Sequence, residues 1–284
     1  MANEMRIDAL LPAEMATRAE YLGVRKVEAP ALTTFILGIL AGAFIGLGAI
    51  FSTTVAAGTA GVMPYGVAKV LSGSVFCLGL VLVIVGGAEL FTGNNLIVLA
   101  WASRKVSTLA LLRNWAIVYA GNLIGSIGMA VLLFLSKQYT YGDGQVGLVA
   151  LQIASSKVGL APVAAISLGV LCNILVCLAV WLTYSARSTL DKIASILFPI
   201  TAFVAAGFEH CVANMYFGSI GLLIKHFDPH FVTEAGVDLS TLTEGSFILQ
   251  NLLPVTLGNI IGGSVFVAAI YWVVYLRNGR KQTQ

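Results

Sequence analysis

Residues 206–217 read AGFEHCVANMYF and set Glu209, His210 and Asn214 inside otherwise apolar sequence. Ionisable groups are costly at membrane depth and mark a functional position there. The same frame stands upstream, where Gly87, Glu89 and Asn94 repeat the spacing of Gly207, Glu209 and Asn214. Leu90 holds the place of His210. Only the second copy therefore carries a side chain whose ordinary charge change falls near neutral pH.

The flanking sequence is that of a membrane protein. Of 284 residues, 58% are hydrophobic and 10% charged, whereas soluble domains run at about 25% charged. Apolar runs at 32–51, 70–102, 115–135, 162–184, 193–224 and 247–276 are long enough to cross a bilayer. A net charge of +3 without a basic cluster argues against nucleic acid as a partner. Residues 1–29 lack a leader pattern and are taken as part of the mature chain. Cys77, Cys172, Cys177 and Cys211 lie in apolar runs without CxxC spacing, so buried thiols are expected rather than disulfides or a zinc site. No cofactor or metal is expected.

The basic residues between the runs fix orientation. Arg6, Arg18, Arg25 and Lys26 precede the first run; Arg104, Lys105 and Arg113 lie in the second connection; Arg187 and Lys192 lie in the fourth. With Arg277, Arg280 and Lys281 after the last run, most of the basic residues fall on one side. By the positive-inside tendency that side, with both termini, is cytoplasmic. The expected organisation is a cytoplasmic amphipathic helix within 1–29, a transmembrane pore domain over 30–277 and a cytoplasmic tail over 278–284. In the N-terminal helix Leu11, Met15, Ala19 and Leu22 recur at helical spacing.

Three motifs repeat in the same order. LGILAG at 37–42 matches LGVLCN at 168–173, and the GxExxxxN frame follows in each half. Asn114 precedes GNLIG as Asn251 precedes GNIIG, with the same separation. Two homologous halves, 30–136 and 160–277, with three crossings each must enter the membrane in opposite senses. Inverted repeats place a transport site near the midplane, between the halves. The fold expected is all-α and integral to the membrane, with six transmembrane helices.

The second and fifth crossings are too long. A continuous helix over 69–104 or 192–225 would measure roughly 50 Å at 1.5 Å per residue, against a hydrocarbon core of about 30 Å. Gly79, Gly86, Gly87 and Gly93 interrupt one stretch, and Pro199 and Gly207 the other. Each is expected to be a half-helix, an irregular loop and a second half-helix. Such backbone persists at depth only where it lines a cavity or is buried in protein.

Glu89 and Glu209, being symmetric, are assigned structural roles as acceptors of backbone N–H groups at the new half-helices. Asn94 and Asn214 are expected to close loop hydrogen bonds. Asn122 and Asn259 are expected to bridge helices, with Gly121 and Gly258 permitting close approach. His210 breaks the symmetry and is expected to face the pore as a proton donor, with Asn214 as an orienting partner. His226 and His230 fall in an outer loop and are expected to be solvated. Phe76, Phe91, Phe203 and Phe208 flank the two interruptions and suggest hydrophobic constrictions.

GAELFTGNNL at 87–96, GFEHCVANM at 207–215, MPYGVAKV at 63–70 and PVTLGNIIGG at 254–263 resemble the formate/nitrite transporter family, from LLPAEMA at 10–16 to the final crossing. The resemblance implies an aquaporin-like fold, a homopentamer with one pore per protomer, and a place in the bacterial cytoplasmic membrane rather than an enzyme. It implies an Ω-shaped loop at about 80–90 and a shorter loop before His210. It makes His210 the central pore histidine with Thr92 as its hydrogen-bonding neighbour. Phe76 and Phe203 would form an outer constriction, and Leu80, Leu90, Phe91 and Val176 an inner slit and its surroundings. Asn173 would line the pore, and Lys157 would stand at the outer mouth with Glu209 and Asn214. The expected cargo is formate or a related small weak-acid anion such as nitrite or hydrosulfide, and the N-terminal helix would gate the inner mouth and meet a formate-producing enzyme. Ala186 departs from the glycine of close relatives, outside the pore motifs. A neutral-solute channel is disfavoured by the lack of paired NPA loops, a bis-histidine haem enzyme by the single histidine in the runs, and a protease by the lack of paired aspartates.

Overall fold

The computed structural model describes residues 9–277, so Arg6, Arg280, Lys281 and the 278–284 tail lie outside the described residues. In chain order the helices are α1 (Pro12–Glu28), α2 (Ala31–Ala56), α3 (Tyr65–Gly86), α4 (Val98–Ala102), α5 (Thr108–Leu135) and α6 (Gln145–Val158). They continue with α7 (Pro162–Thr183), α8 (Thr189–Ala205), α9 (Cys211–Phe227), α10 (Pro229–Ala235) and a last long helix, α11 (Glu244–Leu276), widened into π turns over much of its length.

Helices α2, α3, α5, α7 and α11 are each long and apolar enough to cross a membrane. The remaining crossing is α8 followed by α9, 17 residues each. Helix α2 packs on α3 and α5, α7 packs in the same way on α8 and α11, and α3 meets α8 between the halves. The fold is all-α, as expected.

The interruptions are narrower than the glycine pattern predicts. Gly87 (φ +78) ends α3 and Gly207 (φ +73) follows α8, both in the left-handed region that favours glycine. Gly79 lies within unbroken α3, where a Cβ would stand 3.2 Å from Ile45 Cα; it serves helix packing and ends nothing. Pro199 likewise sits inside α8 without ending it, as membrane helices tolerate. The loop expected to open at about residue 80 therefore starts at Gly87, then passes through a 3-10 turn, Gly93–Ile97, into α4.

Two buried asparagines hold the irregular backbone. Asn122 Nδ2 donates to the carbonyls of Gly38 (2.8 Å) and Glu89 (2.9 Å), and its Oδ1 accepts the Phe91 N–H at 2.9 Å. Asn259 repeats this with the Gly169 (2.8 Å) and Glu209 (2.9 Å) carbonyls and the Cys211 N–H (2.9 Å). Backbone groups that have left a helix without water must be paired, and one side chain in each half pairs them. Asn259→Leu would orphan the Glu209 carbonyl and the Cys211 N–H, each costing about 1–3 kcal/mol. The variant is expected to lose its thermal transition in detergent; a Tm close to that of the parent would contradict this assignment.

Helix α1 is a protein-bound cap rather than a helix resting on lipid. Its Met15, Ala16, Ala19 and Gly23 are buried, and it packs on the 3-10 turn, α4 and the end of α11. Leu11, expected on the same apolar stripe, is 67% exposed because it precedes the first turn as the N-cap. Arg18 donates to the Tyr184 carbonyl (3.0 Å), Ser185 Oγ donates to the Leu10 carbonyl (3.0 Å), and Glu20 pairs with Lys105.

Candidate functional site: a histidine at a narrow neck

His210 is 3% exposed and caps α9, its Nδ1 accepting the Ala213 N–H at 3.0 Å. A nitrogen that accepts carries no proton, so the neutral ring bears its hydrogen on Nε2. That nitrogen lies 3.0 Å from Thr92 Oγ1, on the loop of the other half, and the hydrogen bonds assign it as donor to the hydroxyl. The Phe203 ring stacks on the imidazole at 5.8 Å between centroids. Asn214 does not orient His210, contrary to expectation. Its Nδ2 donates instead to Glu209 Oε2 (2.6 Å) and Asn251 Oδ1 (2.8 Å), because the first turn of α9 turns it toward α11.

Three spaces lie in series around this ring. On the side of α1 is a vestibule of about 220 Å³ whose floor includes Leu80 and Leu90. On the opposite side is one of about 230 Å³ that reaches Phe76, Phe203 and His210. Between them a void of about 10 Å³ is lined by Ile45, Phe76, Leu80, Leu90, Val176, Ile200, Phe203 and His210. That is the space of about one water molecule. Leu80 and Leu90 belong to both the neck and the α1-side vestibule, and Phe76, Phe203 and His210 to both the neck and the opposite one.

Much of the neck is built of repeat mates: Ile45 with Val176, Leu80 with Ile200, and Leu90 with His210, in the frames set by Gly38/Gly169 and Glu89/Glu209. The Phe76 and Phe203 rings meet edge to face at 5.6 Å. Phe91 belongs to the wall and not the slit: its ring packs on Tyr119 (5.0 Å) and Trp115 (6.0 Å). Asn173 is also in the wall, fully buried and outside the lining of all three spaces. Its Nδ2 reaches the Thr92 carbonyl (3.3 Å), Asn95 Oδ1 (2.9 Å) and the Asn259 carbonyl (2.7 Å), bracing the peptide that carries His210's partner.

Each vestibule holds one lysine–carboxylate pair set in asparagines. Lys157 Nζ donates to Glu209 Oε1 (2.9 Å) and Oε2 (3.1 Å), and Asn251 Nδ2 donates to the Lys157 carbonyl (3.1 Å). In the other half Lys26 Nζ donates to Glu89 Oε1 (2.7 Å), Asn94 Nδ2 to Glu89 Oε2 (2.7 Å), and Asn114 Nδ2 to the Lys26 carbonyl (3.2 Å). The two carboxylates thus bind side chains rather than the half-helix N–H groups expected of them. The Phe91 and Cys211 N–H groups are met by asparagine oxygens and that of Ala213 by His210 Nδ1, which frees each carboxylate for a cation. Lys26, Asn114 and Asn251 were not expected at the site; the signal for the asparagines was their place at the head of the third repeated motif. His226 and His230 are exposed, and pair with Glu244 (3.0 Å) and Glu234 (3.5 Å). All four cysteines are buried and unpaired.

The sequence profile described as "Formate/nitrite transporter" matches residues 13–273. The chain belongs to the formate/nitrite transporter family. It is 47% identical over 274 residues to "Formate channel FocA" of Escherichia coli K12, covering 95% of this chain and 96% of that one. It is 41% identical over 263 residues to the Haemophilus influenzae protein of the same name, covering 91% and 92%. Among solved structures it resembles "Pentameric formate channel with formate bound" with a TM-score of 0.81 and 46% identity, covering 87% of this chain and 98% of that one. A second structure, "FNT family ion channel", matches with a TM-score of 0.77 at 28% identity, covering 92% and 98%. A membrane transporter of this family accounts for the five long apolar helices and for the crossing that α8 and α9 share.

Proposed function

We propose that this chain is a membrane channel for formate and similar small monovalent weak-acid anions, with one passage in each protomer of a homopentamer. The passage runs through residues 30–277, and α1 caps its cytoplasmic mouth in a bacterial cytoplasmic membrane. The observation that carries this reading is His210, set where an apolar neck opens into a vestibule and hydrogen-bonded across the repeat interface to Thr92.

Magnitudes favour crossing as the neutral acid. A carboxyl group with a pKa near ~3.7 costs roughly 4.5 kcal/mol to protonate at pH 7, at about 1.36 kcal/mol per unit. A bare anion in a dry phenylalanine- and leucine-lined neck costs several kcal/mol even after relaxation, and far more in an idealised estimate. The surplus cations, Lys69 on one side and Arg18 and Lys192 on the other, draw the anion into the vestibules, where Lys157 and Lys26 are each held by a carboxylate partner. At the neck the anion takes the hydrogen bond that Nε2 gives Thr92. It takes the proton itself when the ring is loaded as imidazolium, which requires Nδ1 to give up the Ala213 N–H. A helix cap of this kind is worth about 0.5–2 kcal/mol, small against the desolvation it avoids. The neutral acid then passes Leu80 and Leu90.

Counterflow of labelled formate in proteoliposomes tests the reading, with nitrite, hydrosulfide, acetate and lactate as competitors. Formate is expected to exchange fastest and lactate slowest. Exchange of nitrite or hydrosulfide well above formate would reassign the cargo, and swelling in glycerol without formate exchange would sink the reading. Phe203→Ala is expected to raise lactate flux about tenfold or more, since a methylene-sized misfit in a tight site is worth ~10–200-fold. Unchanged lactate flux would remove Phe203 from the size filter.

A further inference from the structure

The two vestibules share the lysine–carboxylate–asparagine unit, yet their charges differ. The α1-side vestibule is lined by Arg18, Lys26 and Lys192 against Glu89. The opposite one is lined by Lys69 and Lys157 against Glu209. Lys26 is neutralised by Glu89 at 2.7 Å, which leaves Arg18 and Lys192 as surplus charge on the α1 side. Neither belongs to the repeated unit. In the frame equating Glu89 with Glu209, Lys192 corresponds to Ser72; in that equating Lys26 with Lys157, Arg18 corresponds to Val149.

Their surroundings leave both available. Arg18 spends one guanidinium nitrogen on the Tyr184 carbonyl and is otherwise exposed. The Lys192 side chain makes no hydrogen bond or ion pair among the described residues, and the neighbouring Asp191 carboxylate is occupied by the N–H groups of Arg187 (3.0 Å) and Ser188 (2.9 Å). The two cations come from different elements, the docked α1 and the first turn of α8, and face one space of about 220 Å³.

We propose that this vestibule is a binding site for a compact doubly charged oxyanion, with hydrogen phosphate as the type, and that its occupant blocks the passage reversibly. The proposal rests on the channel reading above. One unneutralised cation suffices to hold a monoanion; two lining one space match a dianion, whose oxygens accept from guanidinium and ammonium donors. Such an anion cannot follow formate. Hydrogen phosphate that takes one proton becomes dihydrogen phosphate, so a single proton leaves it an anion. The neck beyond is lined by apolar side chains apart from His210, so a solute that stays charged does not pass it. What enters stays in front of Leu80 and Leu90 until it leaves by the same mouth, and formate flux falls with its occupancy.

The test is formate counterflow in proteoliposomes at constant ionic strength, with phosphate exchanged for chloride. Added to one side, phosphate is expected to inhibit only the channels whose α1 face meets it, and to inhibit all of them when present on both sides. Lys192→Gln and Arg18→Gln, each scored against its own uninhibited flux, are expected to raise the half-inhibitory phosphate at least about tenfold, the scale of one contact charge removed beside a dianion even at the dielectric of water. Should a variant carry no flux, broadening of the phosphorus resonance of phosphate by the purified protein reads the same site, and is expected to weaken in that variant. Inhibition equal to that of chloride, or unchanged by both substitutions, overturns the proposal while leaving the channel reading intact. Absence of formate exchange in the unmodified protein would instead strike the channel reading itself.

Discussion

His210→Asn is expected to give a folded channel that no longer couples formate to protons. Asparagine is among the best N-cap residues, so its side-chain oxygen can take over the Ala213 N–H that Nδ1 accepts at 3.0 Å. What it lacks is a titratable nitrogen. Positioned proton transfer contributes about 10²–10⁴-fold to a reaction that needs it, and proton-coupled formate uptake across an imposed pH gradient should fall by that order. His210→Ala should lose the same coupling and, with it, the cap, worth about 0.5–2 kcal/mol. A pH profile of uptake that survives in His210→Asn would refute proton lending and leave the ring a hydrogen-bond donor only.

The second large effect is expected at the opposite-side ion pair. Lys157 and Glu209 have side-chain exposures of only 12% and 7%. Lys157→Met would leave a buried carboxylate with asparagine donors alone, and removing one partner of a buried pair costs about 3–5 kcal/mol. Thermal unfolding in detergent should fall sharply, and Lys157→Met combined with Glu209→Gln should recover most of the loss. Lys26→Met is the internal control. Its pair is 29% and 14% exposed, so vestibule water hydrates the widowed Glu89 and the drop should be clearly smaller. Equal drops at the two lysines, or no rescue by the double replacement, would show that burial does not set the difference.

Much of this was legible in the chain because an ionisable residue in apolar sequence is conspicuous, and a repeated one more so. The GxExxxxN frame located both interruptions, the motif order located both halves, and the lone histidine located the neck. Glycine spacing was less informative. It cannot separate Gly79, which lets α3 lie against Ile45, from Gly87, whose φ is +78. Partnerships at long separation were hidden for a different reason: Lys26 finds Glu89 only because α1 folds back under the loop. Phe91 and Asn173 were assigned to the passage by resemblance, and sit one layer behind it, where they brace what does line it. Ile45 and Ile200 were missed although the repeat frames equate them with Val176 and Leu80, which the resemblance had named.

The two 17-residue pieces of the broken crossing also bear on how the chain is made. Each spans about 25 Å at 1.5 Å per residue, short of the ~30 Å of hydrocarbon. The backbone between them is tied down by Asn259, which the ribosome delivers some fifty residues later: that side chain holds the Glu209 carbonyl and the Cys211 N–H. Membrane integration of this region must therefore wait for the C-terminal segment to emerge. Nascent chains truncated before residue 244 should leave residues 189–227 accessible to aqueous thiol-labelling reagents that the finished protein keeps out.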